Sequence, residues 1–139
     1  MNARTFIDSN VLIYAHDMDA GAKRDRAAQI LQDLWNSRLG VLSPQVLQEF
    51  YVNVTRKIAS PIPRKSARAV VDFYSPWCIE TAAADLSRAF RIEDENRIGF
   101  WDALIVAAAV KAGAEKIISE DLNTNQEIAG IRIENPFLK

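Results

Sequence analysis

Sulfur and imidazole are scarce in this chain, which holds one cysteine, Cys78, and one histidine, His16. A lone cysteine forms no intrachain disulfide, which fits a reducing compartment. A lone histidine excludes a His-rich metal site and argues against a Ser-His-Asp triad. Long hydrophobic runs are also absent. The longest, residues 103–110, is eight residues, against about 20 for a bilayer span. No signal-peptide apolar region opens the chain, because strand-like sequence begins almost at once, so a cytoplasmic protein is expected. Neither sign of charge dominates: 17 Lys and Arg face 18 Asp and Glu, for a net charge of −1. No overall positive field draws in nucleic acid, and any RNA or DNA contact must come from a local patch. Repeats, low-complexity tracts and linkers are missing as well. One domain spanning residues 1–139 is expected.

What is present is alternation. At 49% hydrophobic and 25% charged residues, the composition is that of a folded protein rather than a disordered one. A short apolar run (Thr5, Phe6, Ile7) meets Asp8, and a helical pattern through Val11, Leu12, Tyr14 and Ala15 follows, with Ser9 or Asn10 placed to cap it. Ala22–Ser37 predicts an amphipathic helix through Ala27, Ile30, Leu31, Leu34 and Trp35. Residues 40–42 predict a short strand. Ser43-Pro44 then opens a helix that runs to residue 59, where Pro61 and Pro63 stop it.

A further helix is predicted over Arg64–Tyr74, and a third strand over 77–79, after Pro76. Thr81 is placed to cap the next helix. Residues 100–112 predict a buried helix, apolar almost all round, with Gly113 closing it. Strands at 116–119 and 132–133 follow, the latter at the sheet edge. Strands alternating with helices argue for an α/β fold: a parallel sheet with helices on both sides.

Four acids stand out against this frame, each with an ordinary explanation beside it. Asp8 lies at the carboxyl end of the first strand, the edge where open parallel sheets bind ligands; it is equally placed to cap a helix. Asp121 lies just past residues 116–119, where an acid is also common in a plain turn. Asp102 stands at the first turn of the buried helix, where capping is the ordinary reading. Ile105 rather than Glu or Gln follows three residues on, so no capping box forms. An acid at the mouth of so apolar a helix needs water or a cation. Glu49 lies off the apolar face of its helix, beside Gln45, Asn53 and Arg56, where a solvated role is usual. If these positions converge, like charges raise one another's pKa unless a cation neutralises them. Oxygen ligands alone select a hard ion, Mg²⁺ or Mn²⁺, and a carboxylate-held metal activates water and stabilises charge on a phosphoryl oxygen.

Four blocks carry a family resemblance: Phe6-Ile7-Asp8-Ser9-Asn10-Val11-Leu12-Ile13-Tyr14, Gln48-Glu49-Phe50, Trp101-Asp102-Ala103-Leu104-Ile105 and Ser119-Glu120-Asp121-Leu122. In order and spacing they resemble the PIN domain, in particular the VapC-like ribonuclease toxins of prokaryotic toxin–antitoxin pairs. The resemblance spans essentially the whole chain. It implies a three-layer α/β/α fold with a five-stranded parallel sheet. It further implies a Mg²⁺- or Mn²⁺-dependent endoribonuclease that hydrolyses RNA phosphodiester bonds, usually as a homodimer bound by an antitoxin. By position, Asp8, Glu49, Asp102 and Asp121 match the family's acidic quartet. Asp8, Asp102 and Asp121 would fix the cation, directly or through its waters, and Glu49 would orient or deprotonate the attacking water. Asn10 matches the small polar residue beside the first acid. Many members carry a fifth acid near position 124; here it is Thr124, between Asn123 and Asn125, which leaves a second metal site short of a ligand.

Substrate contact falls to Asn10 and Asn53 and to Arg56 and Lys57, with Arg64, Lys65 and Arg68 nearby around the proline-containing turn. Each cation taken singly reads equally well as a solvated loop charge. Lys23-Arg24-Asp25-Arg26 reads as an exposed helix start. Trp35 and Trp77 read as core or protein interface, His16 as a surface residue near the site, and Cys78 as a small buried residue of the third strand. Aspartyl-phosphate chemistry fits less well. Haloacid-dehalogenase-like enzymes need a second Asp where Asn10 stands, and receiver domains need a lysine at the end of a late strand, whereas Lys116 begins one. A catalytically silent RNA- or protein-binding module on the same fold is the remaining alternative.

Overall fold

A computed structural model of the protein describes residues 3–138. Residues 1, 2 and 139, at the limits of the expected domain, lie outside the described residues. Strand β1 (Arg4–Ile7) leads into helix α1 (Ser9–Ala15), and α2 (Ala22–Ser37) returns to β2 (Gly40–Val41). Next come α3 (Pro44–Val52), a π-helical turn (Asn53–Lys57) and α4 (Arg64–Tyr74). A 3₁₀ turn (Ser75–Trp77), α5 (Asp85–Asn96) and α6 (Phe100–Lys111) precede β3 (Ala114–Ile118), β4 (Glu127–Ile128) and β5 (Ile131–Glu134).

The sheet runs β2-β1-β3-β5-β4. β1 pairs in parallel with β2 and with β3, and β3 with β5. The chain therefore leaves β1 to one side and returns on the other, so the strand order reverses between β1 and β3. Their carboxyl ends open there into the crevice where doubly wound sheets take ligands. Phe6, Ile7, Ile117 and Ile133 are fully buried, as expected for strands covered on both faces. α6 packs beneath them, burying Ala103 and the stretch from Ile105 to Ala109. The near-absence of a polar face in its sequence is thus explained by enclosure.

The expectation of five parallel strands needs correction at the edge. β4 is antiparallel to β5, and the two-residue loop between them, Ala129 and Gly130, has positive φ at both positions (52° and 80°). That is the geometry of a tight hairpin turn. The strand at 132–133 is consequently second from the edge. No strand forms at 77–79: Pro76 sits in the 3₁₀ turn, and only a single parallel bridge joins Leu42 to Cys78. Cys78 is accordingly half-buried.

Caps follow expectation only in part. Of the three residues placed to cap α1, it is Asp8 rather than Ser9 or Asn10 that does so. Ser43 holds the cap position of α3 without a side-chain capping bond. Thr81 caps nothing, since α5 starts only at Asp85, whose Oδ2 accepts the Ala82 N–H at 2.7 Å.

The helix expected over 44–59 is interrupted by the π turn. Positions 45, 49, 53 and 57 follow one another at intervals of four. In an α-helix each such step drifts about 40° around the axis. The wider π turn offsets part of that drift and keeps Asn53 and Lys57 on the side of Glu49, where all three line one cleft.

Candidate active site

Asp8 stands where β1 gives way to α1. Its backbone is extended (φ −78°, ψ 162°), so the carboxylate turns back over the helix, and Oδ1 accepts the Ser9 N–H at 2.7 Å. Oδ2 accepts the hydroxyl of Ser119 at 2.7 Å. The side chain is therefore a helix cap, and it also lines the crevice between β1 and β3. With only 4% of its surface exposed, burial pushes its carboxyl up from 3.8 to about 6. The bonds from Ser119 and Ser9 oppose that rise, and the charges of Asp121 and Glu49 add to it.

Ser119, just past the end of β3, is completely buried and was not singled out from the sequence. Its hydroxyl donates to Asp8 and accepts from Asn10 Nδ2 at 3.3 Å and from the Asp121 N–H at 3.1 Å. Asn10 Nδ2 also donates to Asp121 Oδ2 at 3.2 Å, and Asn10 Oδ1 accepts the Glu120 N–H at 3.1 Å. Asn10 thus spends its amide on the protein itself, fixing the loop that carries Asp121 to the start of α1. One serine and one asparagine lock the ends of two sheet-paired strands together. The signal for Ser119 was faint: a hydroxyl in the first place after an apolar strand, two residues before an acid.

Asp102, in the first turn of α6, and Glu49, on α3, complete the wall. All four acids line a cleft of about 490 Å³ at the carboxyl edge of the sheet. Burial raises the Asp102 carboxyl above the ordinary 3.8, and the charges of Asp121 and Glu49 raise it further. Glu49 Oε2 accepts from Gln45 Nε2 at 3.3 Å, and the same amide donates to the main-chain carbonyl of Trp101 at 3.3 Å. Gln45 therefore ties α3 to the start of α6 and sets Glu49 beside Asp102. Asn53 lines the cleft while its Nδ2 donates to the Glu49 carbonyl at 2.8 Å. Lys57 supplies the cleft's cation.

Other expected residues fall outside. Arg56 is exposed beyond the cleft wall. His16 sits at the far end of α1 from Asp8, its Nδ1 at 3.0 Å from the Leu12 carbonyl and its ring 5.4 Å from Phe50. Thr124 is turned to the chain itself, its hydroxyl accepting the Asn135 N–H at 3.0 Å. Trp35 stacks on Phe73 and Trp77 in a half-exposed aromatic cluster lining other pockets.

Carboxylate, amide and ammonium groups line the cleft beside the apolar Ile13, Val52, Trp101 and Ile105, with no histidine or cysteine. Among the described residues no three Asp, Glu, His or Cys side chains converge closely enough to enclose an ion as they stand. The four carboxylates outnumber the single ammonium of Lys57 and repel one another, and an ion of opposite sign would draw them inward. Among the described residues no helix is long and apolar enough to cross a membrane.

Comparison with known proteins follows the same lines. No curated protein matches the sequence. Several solved structures share the fold, among them these. The VapBC2 complex from Rickettsia felis, bound to a DNA fragment from its promoter, is 17% identical over 94% of this chain and 97% of its own (TM-score 0.66). A toxin–antitoxin complex from Klebsiella pneumoniae is 20% identical over 96% and 98% (TM-score 0.67). VapC20 of Mycobacterium tuberculosis, a sarcin-ricin loop cleaving toxin, is 19% identical over 84% and 89% (TM-score 0.63). The PIN domain family model matches residues 5–128, and the chain belongs to the PIN domain family.

Proposed function

We propose that this chain, folded as one domain, is a Mg²⁺- or Mn²⁺-dependent endoribonuclease, the toxin of a toxin–antitoxin pair. The observation that carries the reading is that Asp8, Glu49, Asp102 and Asp121, from four separate stretches of sequence, line one cleft at the strand-order reversal. The likeness to toxin–antitoxin complexes, and to a toxin that cleaves the sarcin-ricin loop, supports the biological side. On this reading the protein works in the cytoplasm as a homodimer, restrained by its antitoxin.

The donors suit the cation. Carboxylates without imidazole or thiolate prefer a hard ion that keeps part of its water shell. Asp8, Asp102 and Asp121 would hold it, directly or through water. Once bound, such an ion supplies a more acidic water and neutralises charge gathering on the phosphoryl oxygen. The chain does the rest. Glu49, steadied by Gln45, orients the attacking water and takes its proton. Lys57 and Asn53 hold the RNA backbone within the cleft, and Arg56 follows it outside. Asn10 and Ser119 keep Asp8 and Asp121 in register, as positioning residues.

Incubating the purified protein with total RNA tests this. Cleavage is expected with Mg²⁺ or Mn²⁺, is lost on adding EDTA, and falls by roughly a hundredfold or more in Asp8→Asn and Asp102→Asn. Cleavage that survives chelation would overturn the metal chemistry. Undiminished RNA binding with no cleavage under any divalent ion would favour the silent binding module.

A further inference from the structure

We propose that Trp101 is the stacking platform for an unpaired nucleobase next to the scissile phosphate; this rests on the ribonuclease reading. Trp101 is 65% exposed, yet it lines the acidic cleft one residue before Asp102. A single exposed apolar side chain is ordinary on a protein surface. The indole shares its wall with the carboxylates and with Ile13, Val52 and Ile105, and most of it stays open rather than packed away.

Its position is held by neighbours. The Trp101 carbonyl accepts from Gln45, whose amide also holds Glu49, so the residue is tied to the acid that orients water. Phe100 meets the indole edge to face, with ring centres 5.1 Å apart and planes at 71°. Phe100 in turn lies 5.8 Å from Phe90 of α5. The indole ring thus touches one aromatic neighbour and leaves most of its surface open.

Three kinds of surface then share one cleft: carboxylates for a cation, the Lys57 ammonium for a phosphate, and the Trp101 indole for a base. A single strand presents these features together, since positive charge tracks its backbone and aromatic rings receive its splayed bases. In a duplex the bases are stacked on one another and offer the indole no face. Every base has a π-face, so Trp101 selects for the unpaired state rather than for a particular letter.

The test uses the full chain, a short single-stranded RNA, and the same RNA annealed to its complement. Binding is read in the Asp8→Asn background, where no cleavage intervenes, and turnover is read with Asp8 intact. Adding Trp101→Ala is expected to weaken single-strand binding by about tenfold or more, and Trp101→Phe by no more than about threefold. Duplex binding should respond to neither. With Asp8 intact, Trp101→Ala should raise KM while kcat changes little. Single-strand binding indifferent to Trp101→Ala would overturn the inference. So would an alanine variant that changes the protein's size in solution, which would assign the indole to a contact between copies. If the wild-type chain cuts no RNA but binds it through Trp101, the ribonuclease reading falls and the platform stands.

Discussion

Asp8 carries two demands that oppose each other. Capping α1 favours its charge, because a helix N-terminus is electropositive. Burial beside Asp121 and Glu49 disfavours that charge by more, and the carboxyl rises from 3.8 to about 6. The folded state therefore holds this proton more tightly than the unfolded chain does. Stability from this group is greatest below about pH 4, falls as pH rises to about 6, and above that carries a penalty of about 3 kcal/mol. Asparagine removes the charge and remains a good cap. In EDTA near pH 7.5, Asp8→Asn should melt roughly 6–12 °C higher than the wild type, and near pH 3.5 the two should nearly coincide. Calorimetry at both pH values decides it, and a lower melting point for the variant at neutral pH would show that the burial penalty has been misjudged. The acids were legible in the sequence because strand ends and helix starts are places where a carboxylate needs a reason. Ser119 was not, because a serine after Ile118 signals nothing until pairing of β1 with β3 brings Asp8 against it.

Among elements, Ala22–Ser37 and Arg64–Tyr74 match the pattern residue for residue, since proline and polar punctuation bound them on both sides. The π turn left no such mark. Asn53–Lys57 is as helix-compatible as what precedes it, and only tertiary contact sets the wider winding. The missing strand at 77–79 and the antiparallel edge hairpin have the same origin: two-residue ladders are decided by neighbours rather than by local preference. β2 shows how tight that dependence is. A Cβ on Gly40 would stand 2.5 Å from the Trp77 ring, and that ring is enclosed by Trp35 and Tyr74. Gly40→Ala should lower stability by about 1–3 kcal/mol, seen as a lower urea midpoint with an unchanged slope. An unmoved midpoint would mean that the indole swings aside freely.

For the molecule as a whole, if the cleft holds a cation as proposed, it exchanges stability for a place to put it. Neutralising its acids should therefore raise the melting point in proportion to occupancy. At a hundredfold excess over the dissociation constant, a ligand of the native state adds about 2.7 kcal/mol. Wild-type protein should gain several degrees with saturating Mn²⁺, and Asp8→Asn should gain little. The gap between them in EDTA should then close in Mn²⁺, a convergence that differential scanning fluorimetry can follow. Parallel gains in both proteins would place the ion elsewhere.

The bond between Asp8 and the hydroxyl of Ser119 spans 111 residues of chain. During translation the first of these leaves the ribosome early and the second far later, so no shorter nascent fragment has an assembled cutting pocket. If the chain cuts RNA as proposed, this is a built-in delay: no cutting begins until residue 119 has emerged and β3 has found β1.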